Sequence, residues 1–465
     1  MSLLIVLAAL AFLMFVAYRG YSVILFAPIA ALGAVLLTDP ALVAPMFTGL
    51  FMDKMVGFLK LYFPVFLLGA VFGKLIEISG FSKSIVAATI RVVGAQRAML
   101  SIVLVCALLT YGGVSLFVVV FAVYPFAAEL FRQSDIPKRL IPGTIALGAF
   151  TFTMDALPGT PQIQNIIPAP FFGTTSWAAP VLGTLGGIFI LIVGMIYLES
   201  RRRRAARNGE GYGDNLLNEP VAFAGDKLAH PLIAILPLLL VGVANFLLTR
   251  WIPGFYGETQ SFVPSVIGSP APIVQEVSKI AAIWAVQGAL LIGIVCVFVF
   301  AWRNVMASFA EGSKNAISGS LLASMNTASE YGFGAVIAAL PGFLAVATAL
   351  KAIPNPLVNE AVSVTALAGI TGSASGGMSI ALAAMADSFI ANANAAGIPM
   401  EVLHRVASMA SGGMDTLPHN GAVITLLAVT GLSHRQSYKD IFAITLIKTT
   451  SVFVIIGLFY LTGWV

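Results

Sequence analysis

Met154-Asp155-Ala156-Leu157-Pro158-Gly159 and Met414-Asp415-Thr416-Leu417-Pro418-His419 each interrupt an apolar run with an acid and a proline, 260 residues apart. Proline donates no backbone hydrogen bond, and its ring opposes helix on its N-terminal side. Each stretch therefore reads as helix, break, helix. In lipid, irregular backbone survives only where it is packed in protein or lines a cavity. A break that occurs twice in one chain is the feature from which the fold can be worked out.

The surroundings of both breaks are membrane-like. The chain has 465 residues, 59% of them hydrophobic and 10% charged, with a mean hydropathy of +0.96. Soluble domains carry roughly 25% charge, so a water-soluble fold is excluded. At about 20 residues per crossing, the chain has room for about a dozen spans and some half-spans. Two cysteines in apolar runs, Cys106 and Cys296, support neither a disulfide framework nor a thiolate metal site, and no cofactor is expected. The formal charge of +5 owes much to Arg201-Arg202-Arg203-Arg204 and Arg207 directly after a span. That is a cytoplasmic topology signal and not a nucleic-acid patch. The N-terminal run lacks a basic stretch before its apolar core and reads as the first membrane helix rather than a signal peptide.

Further matches keep the same order. Tyr111-Gly112-Gly113 is answered by Ser375-Gly376-Gly377, Ile136-Pro137 by Ile398-Pro399, and Glu77-Ile78-Ser79-Gly80-Phe81 by Glu330-Tyr331-Gly332-Phe333. Such internal similarity is the mark of transporters built from two copies of one bundle. Expected spans of the first copy are Leu3–Tyr18, Tyr21–Leu37, Leu61–Ile78, Ile85–Leu109, Val114–Phe131, Leu140–Met154 and Trp177–Leu198. Those of the second are Pro231–Leu248, Ile280–Trp302, Ile317–Phe333, Ala335–Leu350, Ala361–Ile370, Met378–Ile390, Val402–Ser411 and Phe442–Trp464. The basic run ends the first copy inside, Arg19 starts the chain outside, and an odd number of crossings inverts the second copy. The expected organisation is a first membrane repeat at 1–200, a cytoplasmic basic linker at 201–230 and an inverted repeat at 231–465. The fold class is thus an all-α polytopic membrane protein of two inverted-topology repeats, each with a re-entrant hairpin and a discontinuous helix.

A broken helix offers carbonyls to a cation and N–H groups to an anion. Expected substrate contacts are Thr160, Gln162, Gln164 and Asn165 at the first break and Thr416, His419 and Asn420 at the second. Gly112, Gly113, Ser375, Gly376 and Gly377 close the site from the hairpin tips, small enough for their N–H groups to reach a carboxylate. Acids at membrane depth are functional candidates, so Asp155, Asp415, Glu77 and Glu330 are expected coupling groups, with His419 as a proton carrier. The alternatives are structural: the breaks as kinks, the aspartates as helix caps, and His419 satisfied by a carbonyl. Neither tips nor breaks contain Lys or Arg, which favours a singly charged carboxylate over a polyanion. Four histidines without clustering offer no metal or nucleophile–base site, so an enzyme is disfavoured. A passive channel is disfavoured by the repeated breaks.

Residues 410–423, Ala-Ser-Gly-Gly-Met-Asp-Thr-Leu-Pro-His-Asn-Gly-Ala-Val, together with 154–165, Met-Asp-Ala-Leu-Pro-Gly-Thr-Pro-Gln-Ile-Gln-Asn, resemble the gluconate permease family of the ion transporter superfamily, nearest its D-β-hydroxybutyrate branch. The resemblance implies a homodimer in the bacterial inner membrane, elevator-like alternating access, and proton-coupled uptake of a small hydroxy or sugar acid. Asp-Ala-Leu-Pro-Gly-Thr-Pro stands where the gluconate branch carries a Pro/His-rich stretch, which turns the expectation toward short hydroxy acids. Sodium coupling is the alternative, with Ser373, Ser375 and Ser379 supplying hydroxyls.

Overall fold

Uninterrupted apolar sequence becomes helix wherever backbone groups must satisfy one another, and the computed structural model is built almost wholly of such helices. It describes residues 2–19, 21–94, 97–214, 217–220, 228–263, 272–343, 345, 353–418 and 420–465. The first half runs α1 (Ser2–Tyr18), α2 (Val23–Thr38), α3 (Val43–Met46), which passes through a π-turn into α4 (Met52–Ile78), then α5 (Phe81–Val93). A hairpin follows, α6 (Ala98–Tyr111) and α7 (Leu116–Gln133), and then the broken element α8 (Ile141–Ala149), α9 (Phe152–Asp155) and α10 (Pro168–Phe172). The half closes with α11 (Pro180–Arg207).

The second half repeats that order. α12 (Pro231–Tyr256) and the very long α13 (Val277–Ala339) are joined through a short antiparallel pair, β1 (Thr259–Phe262) and β2 (Ile273–Glu276). The second hairpin is α14 (Pro356–Thr371) and α15 (Ala374–Ala395), the second broken element α16 (Met400–Ser411) and α17 (Gly421–Thr430), and the last span α18 (His434–Thr462). Among the described residues, six continuous helical stretches are long and apolar enough to cross a membrane.

Several expected spans differ from the structure. Ile85–Leu109 is two helices, because Gly94 sits at φ 93° between them; α5 buries Phe81, Ile85 and Val86 and leaves Arg91 exposed. Ile280–Trp302 and Ile317–Phe333 belong to the one helix α13, which bends at Ala301 (φ −132°, ψ 28°) and stays helical through the polar residues between them. The expected span Ala335–Leu350 ends as helix at Ala339, and part of its remainder lies outside the described residues. The arginine run forms the last turns of α11.

The two ends of the bundle are marked by contacts between the halves. At one end Arg139 and Arg201 reach Asp440 at the start of α18, at 3.4 and 2.7 Å, and the Tyr124 hydroxyl of α7 donates to Asn218 O (2.7 Å). At the other end Val181 N donates to Val465 O (3.2 Å), and Tyr460 OH to Asn355 Oδ1 (3.2 Å). The first hairpin thus enters from the arginine end and the second from the opposite end. This is the inverted arrangement.

Candidate functional site

Both hairpin tips lie on the break of their own repeat. Gln162 Nε2 donates to Thr110 O (2.7 Å) and Val114 O (3.3 Å) across the first tip, and Tyr111 OH donates to Pro158 O (2.9 Å). In the second repeat Asn420 Nδ2 donates to Gly372 O (2.6 Å), while its Oδ1 accepts from Ala422 N and Val423 N and so caps α17. Thr365 of the second hairpin donates to Ala410 O (3.1 Å), which also accepts from Gly413 N where α16 stops.

The first break is stitched internally. Thr160 Oγ1 donates to Thr153 O (2.9 Å), and Asn165 Nδ2 donates to Thr160 O (3.0 Å) and Ser176 O (2.8 Å). Asn245 of α12 reaches Gly159 O (3.0 Å) and Ser176 Oγ (3.1 Å). An unpaired backbone or amide group buried at this depth costs about 1–3 kcal/mol, and these side chains remove that penalty. Gln164 is buried with Oε1 lacking a partner. Thr416 pairs through its hydroxyl with Thr445 and accepts at its carbonyl from Tyr438 OH (3.1 Å).

Where the two breaks meet, the carbonyls are taken by two resident cations. Arg405 of α16 is fully buried; it donates to Asp155 O (2.9 Å), Asn165 Oδ1 (2.9 Å) and Ala178 O (2.7 and 3.2 Å). Lys448 of α18 donates from Nζ to Phe150 O (2.7 Å) and Asp415 Oδ1 (3.0 Å), and lies 3.8 Å from Asp155 Oδ2. Cations are favoured at the carbonyl ends of helices, and two carboxylates beside two cations balance the buried charge. Gly412 admits this arrangement, since a Cβ there would overlap Asp155 Oδ2. Ser408 adds a hydroxyl donor to Asp155 O (2.8 Å). His404, also fully buried, contacts Thr174 Oγ1 (2.6 Å) and Asn165 O (3.1 Å) through its two ring nitrogens.

The structure therefore brings Asp155 and Asp415 together, along with Thr160 and Asn165, and it adds Arg405, His404 and Lys448. The absence of Lys and Arg from tips and breaks does not leave the breaks without cations, because neighbouring helices supply them. A lone lysine in the long apolar run of α18 is the signal that points to Lys448. Glu77 is not brought to the breaks: it pairs with Lys74 (2.8 Å) at the end of α4, 38% exposed. Glu330 lies in α13 beside the second tip, where a Cβ on Gly376 would overlap its carboxylate. His419 lies outside the described residues.

The tip glycines allow close approach of neighbouring groups. The N–H groups of Gly112, Gly113, Gly376 and Gly377 already have acceptors within their own turns. Gly113 holds φ 97° against Pro161, and Gly377 packs on the backbone of Ala368. Ser375 Oγ pairs with Thr327 Oγ1 of α13 (3.2 Å).

No family model matches the chain. It is 59% identical, over the whole of both chains, to an uncharacterized transporter of Bacillus subtilis, YxjC. In fold it is similar to the crystal structure of the YdaH transporter of Alcanivorax borkumensis, with a TM-score of 0.51 and 15% identity, covering 92% of this chain and 90% of that one. That likeness extends to architecture alone, whereas the full-length identity to YxjC extends to the family: this chain is a membrane transporter and belongs to the family of YxjC.

Proposed function

We propose that this transporter is a proton-coupled symporter of a small monocarboxylate, D-3-hydroxybutyrate first and another hydroxy or sugar acid such as gluconate second. The observation that carries the reading is the meeting of two inverted broken helices at the Asp155–Lys448–Asp415 cluster, with a hairpin tip on each break. Discontinuous helices at the repeat interface are how carriers build one central site that faces each side in turn. The resemblance of residues 154–165 and 410–423 to the gluconate permease family supports the substrate class.

A singly charged substrate fits the committed state of the cations. Each guanidinium nitrogen of Arg405 and the ammonium of Lys448 already has protein acceptors. A citrate-like polyanion would need such donors free to offset its desolvation. Gln164, with its unpartnered Oε1, is the polar contact left at the first break. A homodimer in a bacterial inner membrane, with repeats at 1–200 and 231–465 joined by a cytoplasmic linker, completes the proposal.

Counterflow tests it. Proteoliposomes loaded with unlabelled D-3-hydroxybutyrate should take up the labelled acid transiently above equilibrium without any ion gradient, and gluconate should compete. Equilibration without overshoot would indicate a channel, and a chemically altered product would indicate an enzyme.

A further inference from the structure

Glu330 is the acid whose surroundings differ most from those of the other coupling candidates. It is 3% exposed, and among the described residues its Oε2 has no hydrogen-bond partner and no salt bridge reaches it. Asp155 and Asp415 share Lys448, and Glu77, at the matching place of the first repeat, pairs with Lys74 and is partly exposed. Across from Glu330 stands the tip of the second hairpin, with Gly376 against its carboxylate. One helical turn further along α15, Ser379 Oγ is buried and also lacks a partner.

The elements packed on this part of α13 bring few ionisable groups. α15 carries only Asp387, exposed and three turns away; α2 and α10 carry none. α4 runs antiparallel, so that Gly332 meets Phe51 while Gly312 meets Lys74. At the level of Glu330 it offers Asp53, Lys54 and Lys60, all exposed, and Tyr62. Asp53, Lys54 and Tyr62 line a cavity of about 450 Å³ that ends on Phe171 and on Tyr331, the next residue after Glu330. A buried ionised carboxylate with no counter-charge and an unpartnered oxygen is strongly disfavoured; a carboxylic acid is neutral and fits.

Resting on the symport reading above, we infer that Glu330 is the binding site of the transported proton, held between α13 and the tip of the second hairpin. The bound form is the acid, Glu330–COOH. Separation of α15 from α13 wets the group, and the O–H bond breaks, passing the proton to an entering water to give carboxylate and a hydronium ion. While the two helices are in contact the group is nearly closed off, at 3% exposure, so proton release is coupled to hairpin movement.

Two measurements test this on the full-length protein. In proteoliposomes with labelled D-3-hydroxybutyrate, Glu330→Gln should keep exchange and lose accumulation driven by an inward proton gradient. Uphill accumulation retained in Glu330→Gln overturns the inference. Lack of both exchange and accumulation in the wild-type protein would instead overturn the proposed function, and the second measurement then decides on Glu330 by itself. Infrared difference spectra at neutral pH, wild type minus Glu330→Gln, should contain the carbonyl stretch of a protonated carboxyl group. A carboxylate band in its place overturns the inference, including the case in which Glu330 holds sodium. Should Glu330→Gln fail to fold, Glu330→Asp serves: it should retain a protonated carboxyl band, displaced from that of the wild type, and an unchanged spectrum overturns the assignment.

Discussion

Lys448 is the residue on which most of the buried charge depends. It joins the two aspartates that the repeat duplicates, yet it has no basic equivalent near Gly194 in α11, the corresponding stretch of the first repeat. Removing one partner of a buried ionic cluster leaves an uncompensated charge, at a cost of about 3–5 kcal/mol. Lys448→Ala should therefore lower the unfolding temperature sharply in detergent, and adding Asp415→Asn should recover part of the loss. Equal destabilisation in the single and double variants would mean that the contacts within 4 Å carry no energetic coupling. The aspartates were legible in the sequence because each stands beside a proline in an apolar run. The partners were not, because Arg405 and Lys448 come from helices that only the fold brings to the breaks.

At the scale of elements, close approach of backbones is what holds each hairpin shut. Gly377 lies against the backbone of Ala368, so that α15 and α14 touch without intervening side chains, a common way of packing membrane helices. Gly377→Ala should force the two apart and cost about 1–3 kcal/mol, the usual range for overpacking; thermal unfolding of the variant measures it. No loss of stability would place the hairpin legs farther apart than described. The hairpins were readable from Gly-Gly pairs between short apolar runs, whereas the role of those glycines was not: periodicity shows that a turn is small, not what lies against it.

The connection between the halves is an element with its own pH dependence. Arg139 pairs with Glu210 through Nε (2.6 Å) and Nη2 (2.7 Å), and that hydrogen-bonded guanidinium holds the Glu210 carboxyl below its usual 4.5. A carboxyl whose folded value is depressed stabilises the fold above its unfolded value, and that contribution is lost as pH falls through the folded one. Hydrogen exchange at 208–214, corrected for its intrinsic pH dependence, should stay slow at neutral pH and accelerate below about 4.5. Glu210→Gln should show the faster exchange already at neutral pH. Acid-insensitive exchange in the wild type would remove this pair from the account.

Over the whole molecule, an odd number of crossings per half and one basic run predicted inversion, and the structure shows hairpins entering from opposite ends. Exact spans were less legible, because a polar stretch inside α13 and a glycine between α5 and α6 mislead hydropathy in opposite directions: one stays helical and the other breaks an apolar run. The central claim is that this architecture drives a small carboxylate uphill on a proton gradient. Its most direct test is uptake of labelled D-3-hydroxybutyrate into proteoliposomes under an imposed inward proton gradient, at zero and at high sodium. Accumulation that collapses with a protonophore and ignores sodium is the predicted result; no accumulation, or accumulation only with sodium, would contradict it.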